Sequence, residues 1–583
     1  VDSVFENILI FDGAAPGFGE QPETSGPLHA LQLSGTTPYA YSPFEGSHNN
    51  VFHGIILLNN TSLGIQVEGG TQLENNRFSH IVSWANDGWG VNVARKSTAT
   101  RLDHLTVGDN ASGVRFARTW DKVYQGSLLD SIVQNNDVVA TGVSSIGLRG
   151  DGTETSNNFN YVSGHNIDYL TVQPGPDAII DDPQLAYLFR LETDSPARGQ
   201  ASGGANPGAE IIYRSVAGVN SSTSLWPYPN EQRIKAEMCH ADGLATVGRV
   251  GLASPAWCLG EQSLSAYLWG QLGNDCPSGF CEDAGNPDEP SDPEEPGNPE
   301  DPDTPTVPDE PGYTGDYYLS AENGDDNNEG SSEQPWRTFD RAWQTLVAGD
   351  TLVLKSGVYS EALAPSISGE AGNPIVILAE HDGEVIIETV DQAAINIFNQ
   401  NYLTIEGIVA RSTGDASAVA IGGHDGPDWS DKTTGIIMRK IGARSGSLHV
   451  NSSGFLVGRA NQVLLEDVWI FGYARNSMLV YGSENVTVRR AVIRWDGWWG
   501  DEYKPNDPRV GLSVYNSRNN LFENVIVLDG GEQGEDTQGE RVALALAGNH
   551  NGETAPFDDS SNNRFFGVIL LNNVGSGVNT ESG

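Results

Sequence analysis

The residues richest in usable chemistry lie in one stretch, Trp495-Asp496-Gly497-Trp498-Trp499-Gly500-Asp501-Glu502-Tyr503-Lys504-Pro505-Asn506-Asp507-Pro508-Arg509. The carboxylates of Asp501, Glu502 and Asp507 repel one another when crowded. A divalent cation relieves that repulsion, so weak calcium binding is the chemistry to expect there. Trp495, Trp498 and Trp499 offer flat apolar faces on which sugar rings can stack. The competing reading is a solvated, decorative loop, since insertions project from a scaffold whether or not they carry a site. A second polar insertion, Gly423-His424-Asp425-Gly426-Pro427-Asp428-Trp429-Ser430-Asp431-Lys432, holds a single histidine, which in such a setting reads as exposed rather than ligating. Arg95, Lys96, Arg101 and His104 make a compact basic patch in the early part of the chain. It is either a sugar-binding groove or local balance for the surrounding acids.

What holds these residues is a repeat. Asn49-Asn50-Val51-Phe52-His53-Gly54-Ile55-Ile56-Leu57-Leu58-Asn59-Asn60 returns as Asn562-Asn563-Arg564-Phe565-Phe566-Gly567-Val568-Ile569-Leu570-Leu571-Asn572-Asn573. Phe5-Glu6-Asn7 through Gly13 returns as Phe522-Glu523-Asn524 through Gly530. Between these, short alternating strands such as Val486, Val488 and Ala491-Val492-Ile493 are bounded by Asn, Gly and Asp. A period of roughly 23 to 26 residues with several strands per turn predicts an all-β solenoid, the right-handed parallel β-helix. Asn49, Asn75, Asn485 and Asn562 recur at one corner and read as a stacked ladder. Asn tolerates left-handed backbone and its amides bond from coil to coil, so these residues are structural.

The chain divides into four parts: 1–200, the back of a β-helix unit; 201–281, a cap with helical pattern; 282–312, an acidic Pro-rich linker; and 313–583, the front of the next unit, opening with a cap over 317–360. Cys239, Cys258, Cys276 and Cys281 all fall in the cap. They read as two disulfides, nearest neighbours pairing, and so as an extracellular, secreted chain. The linker has no basic residue. At about 3.1 Å per residue it reaches roughly 90 Å. A net charge of −45 and a pI near 4.3 argue against nucleic acid and anionic membrane as partners. No apolar run is long enough to span a bilayer.

Tyr317-Tyr318-Leu319-Ser320-Ala321-Glu322-Asn323-Gly324, Pro335-Trp336-Arg337-Thr338-Phe339 and Ala348-Gly349-Asp350-Thr351 through Tyr359 resemble the opening of the β-helix superfamily that contains chondroitinase B-like and alginate lyase-like polysaccharide lyases. Trp336–Leu346 reads as an amphipathic helix, and the resemblance implies that it caps the first coil. It also implies a lyase chemistry in which calcium or a cation neutralises a uronate carboxylate and a Lys or Arg removes a proton. Lys504 and Arg509 are the analogues by type, not by position. Against catalysis, the loop 531–541 and its counterpart 14–23 share flanking strands but not acids, so there the repeat keeps packing rather than chemistry.

Two functions follow from these readings. The first is an extracellular structural or adhesive protein whose coil edges, around Ile55, Leu57, Ile569 and Leu571, are covered by further copies head-to-tail in a filament. The alternative is a secreted polysaccharide lyase or carbohydrate-binding protein acting on anionic polysaccharide with calcium.

Overall fold

Strands that alternate apolar and polar residues can bury one face each, and this chain buries them by stacking. A computed structural model describes residues within 4–209 and 313–581, together with 213–216, 219–224 and 233–234. It leaves out, among others, 12–29, 36–48, 118–124, 137–143, 235–312, 423–431, 446–451, 495–509, 529–541 and 549–559. Most of the described strands form a 21-stranded and a 13-stranded sheet, in which neighbours pair in parallel, so the fold is the parallel β-helix expected. Phe565, Phe5, Phe52 and Phe78 stack in its centre at 4.7–4.8 Å, the spacing of neighbouring strands.

The first coil, Tyr317–Leu319 against Thr351–Leu354, is covered by the helix Phe339–Trp343, which buries Phe339, Ala342 and Trp343. The helix is shorter than the pattern implied. Thr338 is its N-cap, its hydroxyl accepting from the Arg341 amide at 3.2 Å. Asp326 accepts from the amides of Arg337 and Thr338 and holds the residues before the cap out of the helix. Trp336 instead bridges Leu319 and stacks on Tyr317 at 4.6 Å.

Within the larger sheet, long strands turn a corner at a residue in the left-handed region. In Glu484–Arg494 it is Arg490, φ 54°, with Val486 and Val488 buried before it and Ala491 and Ile493 after it. Lys440, Asp467, His80 and His104 hold the same place in their coils, with φ between 51° and 56°. Asp and His are among the few side chains that adopt this conformation at modest cost; Lys and Arg do so less readily.

The two parts expected to belong to separate units make one solenoid. Val4–Phe11 pairs with Arg564–Phe566 and Ile569–Leu571, and Leu31–Gly35 pairs with Ser576–Glu581. Coils therefore run from 317 to 581 and then from 4 to 170. The edges assigned from sequence to a neighbouring copy are covered by the chain itself: Ile55 and Leu57 are fully buried, and Ile569 is 2% exposed. The physical reason lies in the repeat: both copies carry the same inward Phe and aliphatic residues, so one copy stacks on the other as the next pair of coils.

The asparagines form more than one ladder. Asn49, Asn75, Asn485 and Asn562 occupy exposed left-handed positions, φ 55–56°. Two of them make coil-to-coil amide bonds, Asn485 to Asn461 at 2.8 Å and Asn562 to Asn519 at 3.3 Å. The buried ladder sits one residue later, Asn50 to Asn76 and Asn520 to Asn563. A second, longer one runs Asn60, Asn86, Asn110, Asn136, ending on His165. At the far end Asp130 accepts from the amide and hydroxyl of Ser202, and Ile132, Ile179, Leu191 and Ala197 pack together. Cys239, Cys258, Cys276, Cys281 and the acidic linker lie outside the described residues.

Candidate functional site

Trp495, Trp498, Trp499, Asp501, Glu502, Lys504, Asp507 and Arg509 lie outside the described residues, between a strand ending at Arg494 and one beginning at Val510. His424, Arg95 and Lys96 are also outside. Lys432 is described and pairs with Glu484 at 2.6 Å. Of the residues singled out in sequence, the structure places Arg101 and His104 in a polar cluster, with four neighbours that sequence reading missed.

The cluster grows from strand register. One column of side chains faces outward just before the corner: Glu406, Arg439, Glu466, Arg489 and Glu523, then Phe566 and the Glu6 position, then His53, Ser79 and Asp103. The first five alternate in sign and pair along the stack, Arg439 to Glu466 at 2.9 Å and Arg489 to Glu523 at 2.8 Å. Burial raises the Glu466 carboxyl, but the Arg439 hydrogen bond and the charges of Arg490, Arg439 and Arg489 outweigh it and hold it below its ordinary value.

Past Phe566 the column changes character. His53 Nδ1 lies 2.9 Å from the Ser79 hydroxyl. The His53 ring meets His80 edge-on at 4.9 Å, and His80 stacks on His104 at 4.7 Å. His80 and His104 are corner residues, at φ 51° and 56°, which brings their rings beside the column rather than into the core. Asp103, its side chain 2% exposed, takes Arg77 and Arg101 on Oδ2, each at 3.0 Å. Its buried Oδ1 has no hydrogen-bond partner among the described residues. The two guanidinium groups remain half exposed, 52% and 53%, so each presents donors to solvent. Burial, then the neighbouring His104, His53 and Arg77, pushes the His80 imidazole down to about 3, so at neutral pH it is uncharged.

The arrangement is a cationic strip on an acidic protein. It can bind a carboxylate or sulfate through two fixed guanidinium groups. Among the described residues no group of three or more His, Cys, Asp or Glu is placed to hold a metal ion. The signal available in sequence was the register: His53, His80 and His104 fall on one corner only once the one-residue step from column to corner is allowed for.

The sequence model of the Chondroitinase B family matches residues 335–421, the opening coils. The uncharacterized protein YwoF of Bacillus subtilis (strain 168) is 34% identical over 118 residues, 19% of this chain and 25% of that protein. The chain thus spans about a quarter of the length of the curated relative it matches. Among solved structures, pectate lyase Pel9A is similar over 45% of this chain and 76% of its own, at 13% identity and TM-score 0.28. A rhamnogalacturonan lyase is similar over 45% and 86%, at 14% identity and TM-score 0.24. An alginate lyase from Paenibacillus sp. str. FPU-7 is similar over 42% and 94%, at 16% identity and TM-score 0.23.

Proposed function

We propose that this chain is a secreted, carbohydrate-active β-helix protein that engages an anionic polysaccharide at the Arg77–Arg101–histidine strip. The observation that carries the reading is the strip itself: two half-exposed guanidinium groups anchored on a buried carboxylate, on a chain of net charge −45. The match of residues 335–421 to the Chondroitinase B family supports the same class. The intrachain stacking of Val4–Phe11 on Ile569–Leu571 removes the feature that favoured a filament, because the edges in question are already covered.

In the lyase form of this proposal, Arg77 and Arg101 neutralise a uronate carboxylate, which acidifies the neighbouring C–H; His104 takes that proton, the electron pair forms the ring double bond, and the glycosidic C–O bond on the adjacent carbon breaks, its leaving oxygen taking a proton from water. Calcium at Asp501, Glu502 and Asp507 and sugar stacking on Trp495, Trp498 and Trp499 belong to the same proposal. So do Lys504 and Arg509 as further cations and two disulfides in the cap. Each has its own readout: thermal stability with calcium against chelator, and free-thiol labelling of the unreduced, denatured chain. The deciding experiment is ultraviolet detection of unsaturated uronate on a panel of anionic polysaccharides, with affinity electrophoresis alongside. Product on at least one polymer, reduced in Arg77→Gln and Arg101→Gln, is the expected result. Retardation without product makes the protein a binding module, and neither response on any polymer ends the proposal.

A further inference from the structure

A second outward column lies on the other side of the corner from the histidines. Trp469, Val492, Ile526, Ile569, Ile56 and Val82 follow one another from coil to coil through the Leu9 position. They stand apart from the inner core, yet all are buried. An apolar stripe of this kind on the outside of a solenoid has to be covered.

Three described stretches between 209 and 234 touch the helix. The Ala209 amide donates to the Thr106 hydroxyl at 2.9 Å. The hairpin of Tyr213–Val216 and Val219–Ser224 lies against Val4–Phe11 and Arg564–Phe566, the two sides of the join between late and early sequence. Farther along, Arg233 stacks over the Trp469 ring at 4.4 Å, pairs with Asp382 and donates to the Lys440 carbonyl at 3.3 Å, beside the buried Ile234. From Thr106 to Trp469 is seven coil steps, roughly 34 Å at ~4.8 Å per strand spacing. The described stretches act together as a splint: Ala209 touches the coils of 4–170, Tyr213–Val216 lies at the join, and Arg233 and Ile234 are seated on the coils of 317–581.

We infer that the join and its splint are a separable docking interface, and that a second copy of this chain is the partner it fits. Nothing in the interface requires both sides to come from one molecule. Its contacts are a parallel strand ladder, the Phe565–Phe5 stack, the apolar stripe and the Arg233 lock. The route between the two sides within one chain passes through 282–312, whose proline and acid content gives it reach. The coil duplication adds a further reason, because the coil of Phe5 presents the same inward residues as the coil of Phe522. One molecule's residues 4–234 can therefore dock on another's 317–581 with every contact retained. Intramolecular closure prevails when dilute, and exchange grows with concentration.

The test uses the full-length chain. Gln32 and Asn579 are aligned on neighbouring parallel strands across the join. Two populations of Gln32→Cys/Asn579→Cys, one isotopically heavy, are mixed and opened in mild denaturant. They are then closed at low or high protein concentration, and the 32–579 disulfide peptides are mapped by mass spectrometry. The expected result is pure heavy or pure light cross-links when dilute, and mixed cross-links approaching half of the total when concentrated. Arg233→Glu should raise the mixed fraction several-fold at intermediate concentration. Exclusively unmixed cross-links at every concentration overturn the inference, as does failure to form any 32–579 cross-link. Light scattering of the unmodified chain gives an independent reading: monomer when dilute with dimer and larger species on concentration supports exchange, and monomer throughout opposes it. This outcome is independent of whether the chain acts on sugar.

Discussion

The same outward column serves two purposes in two halves of one solenoid. Over Glu406 to Glu523 it alternates in sign, and the Glu466 carboxylate, 13% exposed, gathers Arg439, Arg489 and Arg490 within 2.8–3.4 Å. Over His53 to Asp103 the alternation is gone, and one carboxylate anchors two guanidinium groups that still face water. A column that cancels its own charge stabilises the stack and has little left to offer a ligand. A column that leaves cationic donors free contributes less to the stack and has a surface to offer. The difference separates a structural face from a candidate binding face on identical backbone geometry.

The largest effect should come from breaking the paired side. Glu466→Ala leaves three arginines without their shared acceptor, and losing charged hydrogen bonds of this burial costs roughly 2–3 kcal/mol. Chemical denaturation should show the midpoint falling with the slope unchanged. On the other side, Arg77→Gln or Arg101→Gln should change stability by less than about 1 kcal/mol, because the guanidinium groups are half exposed. Each should nevertheless weaken retention of an anionic polysaccharide about tenfold, equivalent to about 1.4 kcal/mol. If both Gln variants bind as the parent does while Glu466→Ala loses binding without unfolding, the two faces have been assigned the wrong way round.

How far sequence could go is visible in particular residues. Strand alternation in Val486, Val488, Ala491 and Ile493 was legible because core burial has period two, and the structure buries all four; Val492 is buried as well, on the outward side. The buried ladder beginning at Asn50 went unread because Asn49 and Asn50 are both Asn: one supplies left-handed backbone, the other a buried amide, and composition cannot distinguish them. The repeat was legible, but its meaning as stacked neighbours depends on which edge meets which, a property of three dimensions. His53, His80, Arg77 and Asp103 were missed because column and corner differ by one position, so the spacing between cluster members is uneven. Only Arg101 and His104, close in sequence, stood out.

A smaller effect tests the corner. His80→Val puts a β-branched residue at φ 51°, and left-handed backbone costs such a residue about 1 kcal/mol or more. His80→Asn should be tolerated to within a few tenths, since Asn adopts this conformation readily and holds the same register in Glu6-Asn7 and Glu523-Asn524. Equal melting temperatures for the Val and Asn variants would mean that the corner does not constrain its residue.

The finest distinction between the halves is their response to acid. His80 is held at about 3 in the folded chain against an ordinary value of 6.5. Above 6.5 both folded and unfolded forms are neutral there, and the favourable burial of the neutral ring is fully present. As pH falls below 6.5 the unfolded chain binds a proton that the folded chain refuses, so stability declines. Glu466 is depressed below its ordinary 4.5, so its contribution is present above that value and is lost only as pH falls through the lower folded one. The two faces thus lose stability in separate windows, the histidine side first. Melting temperatures measured from pH 7 to pH 5 should separate parent from His80→Asn by a gap that opens below 6.5 and reaches roughly 2 °C. Glu466→Gln should run parallel to the parent over that range and converge with it only at lower pH. A gap between parent and His80→Asn that is constant with pH would show that His80 acts through backbone geometry alone and that its ring carries no proton linkage.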